Sequence, residues 1–343
     1  MTRIGRRDTI KKTKIDGGFY ETKTNFALLL AAALLLGLSG CGDSSDSSSL
    51  PEEEPENLEY PVSIGDETIP ARPEKVVSLS PALTELCFDM GYGYQITGVS
   101  DYCDWPESAR NLPQLGTAQQ PDLDAIRAEE PDVVITHTDL SENDLIALQQ
   151  ADIPVVVLSR ARLPEDLKDL YVNLGRLLEG EQAGSEAGKA FYNEQIGRVE
   201  SIQQKVEAYV RGGGKQLSAV YLRMLDFTVA TGDTFEGAML EAVGFENVAG
   251  AYGGWDYPLD FVGQYDPDVI FCNEDITIPM LEQNANYKGL QATIHDIVYS
   301  YDFTAFERQG KRMFDILEDM AKKAYPDAFA ETAVNQETSS EAA

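Results

Sequence analysis

Residues 181–210 read EQAGSEAGKAFYNEQIGRVESIQQKVEAYV, and the rest of the chain is organised around this segment. It contains no proline, and apolar or small residues recur three or four positions apart, as on one face of an α-helix. Arg211-Gly212-Gly213-Gly214 follows and ends the pattern, because glycine favours helix termination. At 1.5 Å per residue, about 28 helical residues span roughly 42 Å. We therefore predict a rigid helix of about residues 181–210 that joins two lobes; a long surface helix on a single domain is the alternative.

Strand and helix signals alternate on both sides of this helix. Buried, β-branched runs occur at 75–80 and 132–136 before it and at 217–222 and 268–271 after it. Strands that alternate with helices indicate parallel sheets flanked by helices, so the predicted fold class is α/β with two lobes. The predicted divisions are a first lobe at 59–180, a connecting helix at 181–211, a second lobe at 212–326 and a disordered polar tail at 327–343.

The first 40 residues have the composition of an export signal. They carry seven Lys or Arg against three Asp or Glu. The apolar run 26–36 is too short to span a bilayer, which takes about 20 residues, and fits the core of a secretory signal. Leu38-Ser39-Gly40-Cys41 resembles the lipobox of bacterial lipoproteins, which implies lipidation of Cys41. We predict a signal peptide at 1–40 and a lipid-anchored flexible tether at 41–58; a membrane helix that ends at an incidental cysteine is the alternative.

Charge and cysteine content exclude several classes of function. The net charge is −31, which argues against nucleic acid as a partner because like charges repel. Cys87, Cys103 and Cys272 are an odd number without a CxxC pair, so free thiols are expected. The chain has two histidines, far apart in sequence, which argues against a multi-histidine metal site. We predict neither a metal site nor an intrinsic cofactor.

An ordered series of motifs in the first lobe resembles one known family. Residues 76–86 read VVSLSPALTEL, 98–102 read GVSDY, and 123–126 read LDAI ahead of PDVVI at 131–135. Over about residues 61–325 the chain resembles the substrate-binding proteins of ABC importers for cobalamin, siderophores and haem, most of all the cobalamin-binding members. The resemblance implies two α/β lobes joined by one long helix, in agreement with the periodicity.

The same resemblance implies the partners and the location of the protein. It implies a monomeric receptor on the extracytoplasmic face of a bacterial membrane, which touches the membrane only through its lipid anchor. The receptor delivers a small molecule to an ABC permease dimer that is driven by a cytoplasmic ATPase.

The two halves also echo each other. The segment PDVVI at 131–135 is matched by PDVIF at 267–271, and Asp124 and Asp260 each lie seven residues before the proline. In the family, one carboxylate on each lobe docks onto permease arginines, and the resemblance implies that role for Asp124 and Asp260, where the best-known pattern has Glu. Such rim charges steer encounter and fix register. Chance agreement between two surface acids is the alternative.

Ligands of open α/β sheets bind beyond the carboxyl ends of the strands, so a ligand is expected in the cleft between the lobes. Tyr102 and Trp255 match positions where cobalamin binders present aromatic rings to the corrin. Arginines suit carboxylates of a siderophore or haem. The role of His137 stays open: it could be an axial metal ligand, a hydrogen-bonding group or a structural residue. His137 and Ala118 stand at positions where tryptophan is common in cobalamin binders. The candidate ligand-binding residues are Tyr102, Trp105, His137, Arg160, Arg162, Arg223, Trp255 and Tyr257.

Enzyme signatures are absent from the sequence. The glycines of 91–98 have the wrong spacing for a nucleotide-binding loop. Glu85 and Asp101 could be considered an acid pair, but the sequence shows no pairing of a nucleophile with a base. We therefore predict a non-enzymatic receptor that captures a metal chelate, with a corrinoid as first choice and a ferric siderophore or haem as second. An exported hydrolase and a surface lipoprotein that binds other proteins are the alternatives.

Overall fold

The computed structural model describes residues 59–258 and 264–330. Within them, two sheets with flanking helices lie before and after one long helix, which confirms the predicted α/β fold and the connecting helix. Cys41 and Asp260 lie outside the described residues, as do the predicted signal peptide and tether. Among the described residues no helix is both long and apolar enough to cross a membrane.

A parallel sheet with helices on both faces forms the first lobe. Its elements are β1 (Val62–Ile64), β2 (Glu67–Ile69), β3 (Val76–Ser78), α1 (Pro81–Asp89), β4 (Ile96–Val99), α2 (Leu123–Glu129), β5 (Val133–Thr136), α3 (Glu142–Gln149), β6 (Val155–Val157) and α4 (Leu167–Glu179). The strand order is β4-β3-β5-β6, all parallel. Neighbouring side chains alternate between the two covered faces, with Val76 and Val133 on one and Val77 and Val134 on the other, as the period of two requires. β1 and β2 form a separate antiparallel hairpin.

The long helix α5 runs from Glu181 to Arg211. The carboxylate of Glu59 accepts hydrogen bonds from the backbone N–H groups of Gln182 and Ala183, at 2.9 and 3.2 Å, and so caps the first turn. The predicted apolar stripe is buried in its second half, at Val199, Ile202 and Val206. In the first half, Gly184 and Gly188 are buried together with Phe191.

A mixed sheet forms the second lobe. Its elements are β7 (Ser218–Met224), β8 (Thr228–Val229), α6 (Phe235–Ala242), β9 (Glu246–Asn247), β10 (Val269–Asn273), α7 (Ile278–Gln283), α8 (Gln291–Ile294), β11 (Val298–Tyr301), α9 (Phe303–Phe306), α10 (Lys311–Ala324) and α11 (Pro326–Phe329). The order is β11-β10-β7-β8, with β9 also on β7. β7, β10, β11 and β9 are parallel, but β8 pairs with β7 antiparallel. The sheet is of the predicted parallel type, and β8 adds one antiparallel strand to it because β8 follows β7 through a turn too short for a parallel crossover.

Helix α11 corrects the predicted tail. Disorder was predicted for 327–343, yet Pro326–Phe329 forms a short helix, while the rest of that tail, 331–343, lies outside the described residues. The Phe329 ring packs against the apolar core, and the Lys205 ammonium lies 5.0 Å from its centroid. Burial of this aromatic ring compensates for ordering the segment.

One apolar core passes through both lobes. It contains Leu83 and Val99 of the first lobe, Val199 of α5, and Tyr221 and Phe271 of the second lobe. The outer face of each sheet has a smaller cluster of its own. The carboxyl ends of the central strands of the two sheets are therefore held at one cleft.

Candidate functional site

A cavity of about 430 Å³ lies at the carboxyl ends of the first-lobe strands and is lined on its other side by residues of the second lobe. Ser80, which follows β3, caps α1 by accepting a hydrogen bond from the Leu83 N–H at 3.3 Å, as an N-cap serine does. Lining residues come from the ends of β3, β4, β5 and β6 and, across the cleft, from the end of β7 and the segment after α9. Those that carry chemistry are Ser80, Tyr102, His137, Arg160, Arg223, Glu307 and Arg308.

A second cavity, of about 380 Å³, adjoins the first. Arg160, Glu307 and Arg223 line both cavities and thus form the wall between them. The further lining of the second cavity includes Arg162, Asp233, Glu236 and Trp255.

His137 presents a neutral imidazole to the first cavity. Its Nδ1 lies 2.5 Å from the Leu158 carbonyl oxygen. A carbonyl only accepts, so Nδ1 carries the proton and Nε2 keeps its lone pair. Burial lowers the pKa of His137 to about 4, the charge of Arg160 lowers it further, and the hydrogen bond to Leu158 opposes both. At neutral pH the ring can therefore accept a hydrogen bond or ligate a metal carried by a bound molecule.

The wall between the cavities is an ion cluster. Arg223 Nη2 donates to Glu307 Oε2 at 3.0 Å. Arg160 reaches from the first lobe to the second. Its Nη2 donates to the backbone oxygen of Glu307 and lies 3.8 Å from Glu236 Oε1. Burial raises the pKa of both Glu307 and Glu236, against the opposing charges of the two arginines.

Trp255 stands at the second cavity on a fixed turn. Its φ is +65°, and its backbone N–H donates a hydrogen bond to Thr231 Oγ1 at 3.2 Å. The preceding Gly254 N–H lies 3.0 Å from both carboxylate oxygens of Asp233. The guanidinium of Arg223 lies 5.1 Å from the indole, a cation–π distance. The loop thus holds the indole beside the arginine of β7.

The structure brings most of the predicted ligand residues to the cleft. Tyr102, His137, Arg160 and Arg223 line the first cavity, and Arg162 and Trp255 line the second. Trp105 lines neither; its ring packs on the Arg312 guanidinium at 4.7 Å.

Tyr257 is a second predicted ligand residue that lines neither cavity. Its side chain is buried, and its ring packs against Tyr252, Tyr265 and Phe227 in the outer core of the second lobe. Its backbone N–H donates to the Phe227 oxygen at 3.3 Å, which draws the chain inward after Trp255. Burial of a large aromatic surface therefore determines its position.

Asp124 lies in the first turn of α2 with its side chain 97% exposed, 3.2 Å from Arg127 Nη1. This carboxylate is open to a partner. Its proposed counterpart Asp260 lies outside the described residues.

Sequence reasoning missed the charged residues that join the lobes. Glu85 is fully buried and contacts Arg308 and Arg312 of the second lobe. Arg308 also pairs with Asp104 at 2.5 Å. Glu85 therefore serves the lobe junction rather than an acid pair with Asp101, whose carboxylate accepts from the Gly116 N–H at 2.9 Å.

Cysteines and metal-type clusters add no chemistry to the cleft. Cys87, Cys103 and Cys272 are unpaired and buried, and burial raises the pKa of the Cys272 thiol. Among residues 59–258 and 264–330, no group of three or more His, Cys, Asp or Glu side chains is placed to hold a metal ion.

Comparison with known proteins adds the family context. The sequence profile of the periplasmic binding protein family matches residues 76–305. An uncharacterized ABC transporter substrate-binding lipoprotein of Bacillus subtilis, YvrC, is 26% identical over 315 residues, which cover 89% of this chain and 97% of that protein. The vitamin B12-binding protein of Pectobacterium atrosepticum is 29% identical over 142 residues, 40% of this chain and 49% of its own length. The periplasmic heme-binding protein RhuT of Roseiflexus superposes with a TM-score of 0.62 at 19% identity, over 74% of this chain and 99% of that one.

Proposed function

The chain belongs to the periplasmic binding protein family, as an ABC-importer substrate-binding protein of the cobalamin, siderophore and haem type, and we propose that its cargo is a metal chelate held between the lobes. The observation that carries this proposal is the pair of adjoining cavities lined from both lobes by aromatic rings, arginines and a neutral imidazole. Tyr102 and Trp255 would contact the flat faces of the chelate. His137 would offer Nε2 to its metal or to a donor group.

Two cargo classes fit this chemistry. Similarity to proteins named for vitamin B12 binding supports a corrinoid. Arg160, Arg162 and Arg223 favour the second candidate, a ferric siderophore or haem, because guanidinium groups pair with the carboxylates or catecholates of such ligands.

Membership of the family supports a proposal for delivery and location. The receptor would pass its cargo, without catalysis, to a permease dimer with a cytoplasmic ATPase, through Asp124 on the first lobe and Asp260 on the second. Lipidation of Cys41 would hold it, as a monomer, on the extracytoplasmic face of the membrane, since two acyl chains suffice for stable anchoring.

Fluorescence titration of residues 42–343 tests the proposal. The chain has two tryptophans, Trp105 and Trp255, and Trp105→Phe leaves Trp255 as the single reporter at the cleft. Cyanocobalamin, haem and a panel of ferric siderophores are added in turn. We expect saturable quenching by one class. A folded protein that responds to none would contradict the proposal and favour a surface lipoprotein that binds other proteins.

A further inference from the structure

Glu307 lies in the wall that the two cavities share. It ends the short helix α9 and lines both cavities together with Arg160 and Arg223. Each cavity alone holds about 430 or 380 Å³. A ligand that contacts both Tyr102 in the first cavity and Trp255 in the second has to pass this wall.

The Glu307 carboxylate accepts hydrogen bonds from the kinds of donor that would also bind an anionic ligand. Its Oε2 accepts from Arg223 Nη2 at 3.0 Å, and its Oε1 accepts from the Tyr221 hydroxyl at 3.4 Å. Among the described residues it is the one acid in ion-pair contact with Arg223. Arg160, by contrast, also has Glu236 at 3.8 Å. Removal of the Glu307 carboxylate would therefore leave Arg223 without a counter-charge.

The acid and the arginines differ in exposure. The Glu307 side chain is 15% exposed, whereas those of Arg223 and Arg160 are 44% and 45% exposed. Toward these acids each arginine uses only Nη2, although a guanidinium has five N–H donors. The other N–H donors of the two guanidinium groups donate no hydrogen bond to Glu307 or Glu236.

From this arrangement we infer that Glu307 is a specificity-determining residue: its carboxylate occupies the arginine site in the empty protein and is displaced by an anionic group of the ligand. The inference rests on the proposed function and narrows the cargo to anionic chelates, which bear a carboxylate, catecholate or phosphate. Such a group restores the ion pairs that Glu307 gives up and can bind bidentately. A neutral ligand cannot, because it would leave a desolvated arginine uncompensated.

The other charged groups around Glu307 do not take its place. Burial of Glu307 raises its pKa, and the charge of Asp302, which caps α9, raises it further. The charges of Arg223 and Arg160 oppose that rise. Asp302 itself contacts Arg312 at 3.8 Å, and Glu236 is committed to Arg160. Neither acid contacts Arg223.

The variant Glu307→Gln tests the inference, because the amide keeps the size and the acceptor oxygen but loses the charge. In a Trp105→Phe background, Trp255 reports on Arg223 beside it. The probes are inorganic phosphate, iron protoporphyrin with ionised propionates, its neutral dimethyl ester, and cyanocobalamin. We expect Glu307→Gln to bind phosphate and iron protoporphyrin about fivefold more tightly, the size of a partly exposed ion pair, and to bind the ester no more tightly. The control Glu246→Gln removes an exposed carboxylate at the far end of the second sheet and should change nothing.

The outcomes separate this inference from the proposed function. Equal affinities of the two proteins for phosphate and iron protoporphyrin would overturn the inference, as would a gain shared by the ester. The gain must also disappear when Arg223→Gln is added to Glu307→Gln. A gain for phosphate, with no chelate bound by either protein, would support the displaceable carboxylate and overturn the proposed cargo. If both proteins bound a chelate with the same affinity, the result would support the proposed cargo and overturn the inference about Glu307.

Discussion

Arg312 of the second lobe holds Glu85 of the first in a two-pronged ion pair, with Nε 2.9 Å from Oε1 and Nη2 2.5 Å from Oε2. Glu85 is fully buried, and Arg308 Nη1 adds a third contact at 3.4 Å. A carboxylate that is paired by two arginines of the other lobe fixes the angle between the lobes, because any separation would leave buried charges unpaired.

The first prediction follows from this pair. Glu85→Gln leaves Arg308 and Arg312 without their buried counter-charge, so we expect the free energy of unfolding to fall by about 3 kcal/mol. Urea denaturation of residues 42–343 measures it. The control is Glu207→Gln, which breaks an exposed pair with Arg211 on α5 and should cost under about 1 kcal/mol. A loss for Glu85→Gln no larger than the control's would show that the lobe junction does not depend on this pair.

The second prediction concerns the close approach of α4 and α5. A Cβ at Gly184 would lie 2.0 Å from the Gly175 carbonyl oxygen and 2.3 Å from its carbon. Neither backbone can yield cheaply, so Gly184→Ala should lower the free energy of unfolding by about 2 kcal/mol.

Gly197→Ala on the same helix is the matched control. Gly197 lies on the outward side of α5, and a Cβ added to it would meet no atom within 4 Å. Alanine there should raise the free energy of unfolding by about 0.5–1 kcal/mol, because glycine is the poorer helix former. If both variants were stabilised, the two helices would have room to separate, and the packing of α4 on α5 would not be tight.

This helix pair shows what sequence alone could and could not predict. Three-to-four spacing and buried β-branched runs are local signals, so α5 and the alternation of strands and helices were predictable. Counting apolar residues missed the buried faces of Gly184 and Gly188, since glycine carries no hydrophobic side chain to count. The packing of α5 on α4 therefore required the structure.

The candidate site divides in the same way. Residues at or just after the carboxyl ends of strands, such as His137, Arg160 and Arg223, were predictable because topology places them at one edge of the sheets. Glu85 and Arg312 are 227 positions apart, and no local pattern links them. Glu307 follows a four-residue helix, and only the fold places it between Arg160 and Arg223.

The third prediction is a pH dependence that arises from His137. Its pKa is lowered to about 4, mainly by burial, whereas an unfolded histidine titrates near 6.5. Between these values the unfolded chain takes up a proton that the folded ring does not, so stability falls as pH falls from about 6.5 to 4. We expect the difference between the wild type and His137→Gln to change by roughly 2 kcal/mol over this interval; this is less than the full linkage value because the ring is partly exposed. Urea denaturation at a series of pH values measures it.

His295 provides the control for that series. It is the other histidine of the chain and is exposed in the folded protein. His295→Gln should follow the wild type at every pH. If His137→Gln followed it as well, the imidazole would not be held neutral by burial.

The fourth prediction tests docking to the permease. Asp124 carries its carboxylate 97% exposed at the start of α2, so Asp124→Arg should change the unfolding free energy by no more than about 0.5 kcal/mol. Together with Asp260→Arg it should abolish uptake in cells, because charge reversal at a rim disrupts encounter and register with permease arginines. Affinity for the chelate, measured by fluorescence, should stay unchanged, since Asp124 lines neither cavity.

Glu246→Arg introduces the same charge change on β9, away from the cleft, and should leave uptake normal. Normal uptake by the double variant would place the docking surface elsewhere, whereas lost uptake with weakened chelate binding would mean that the substitutions disturb the cleft itself.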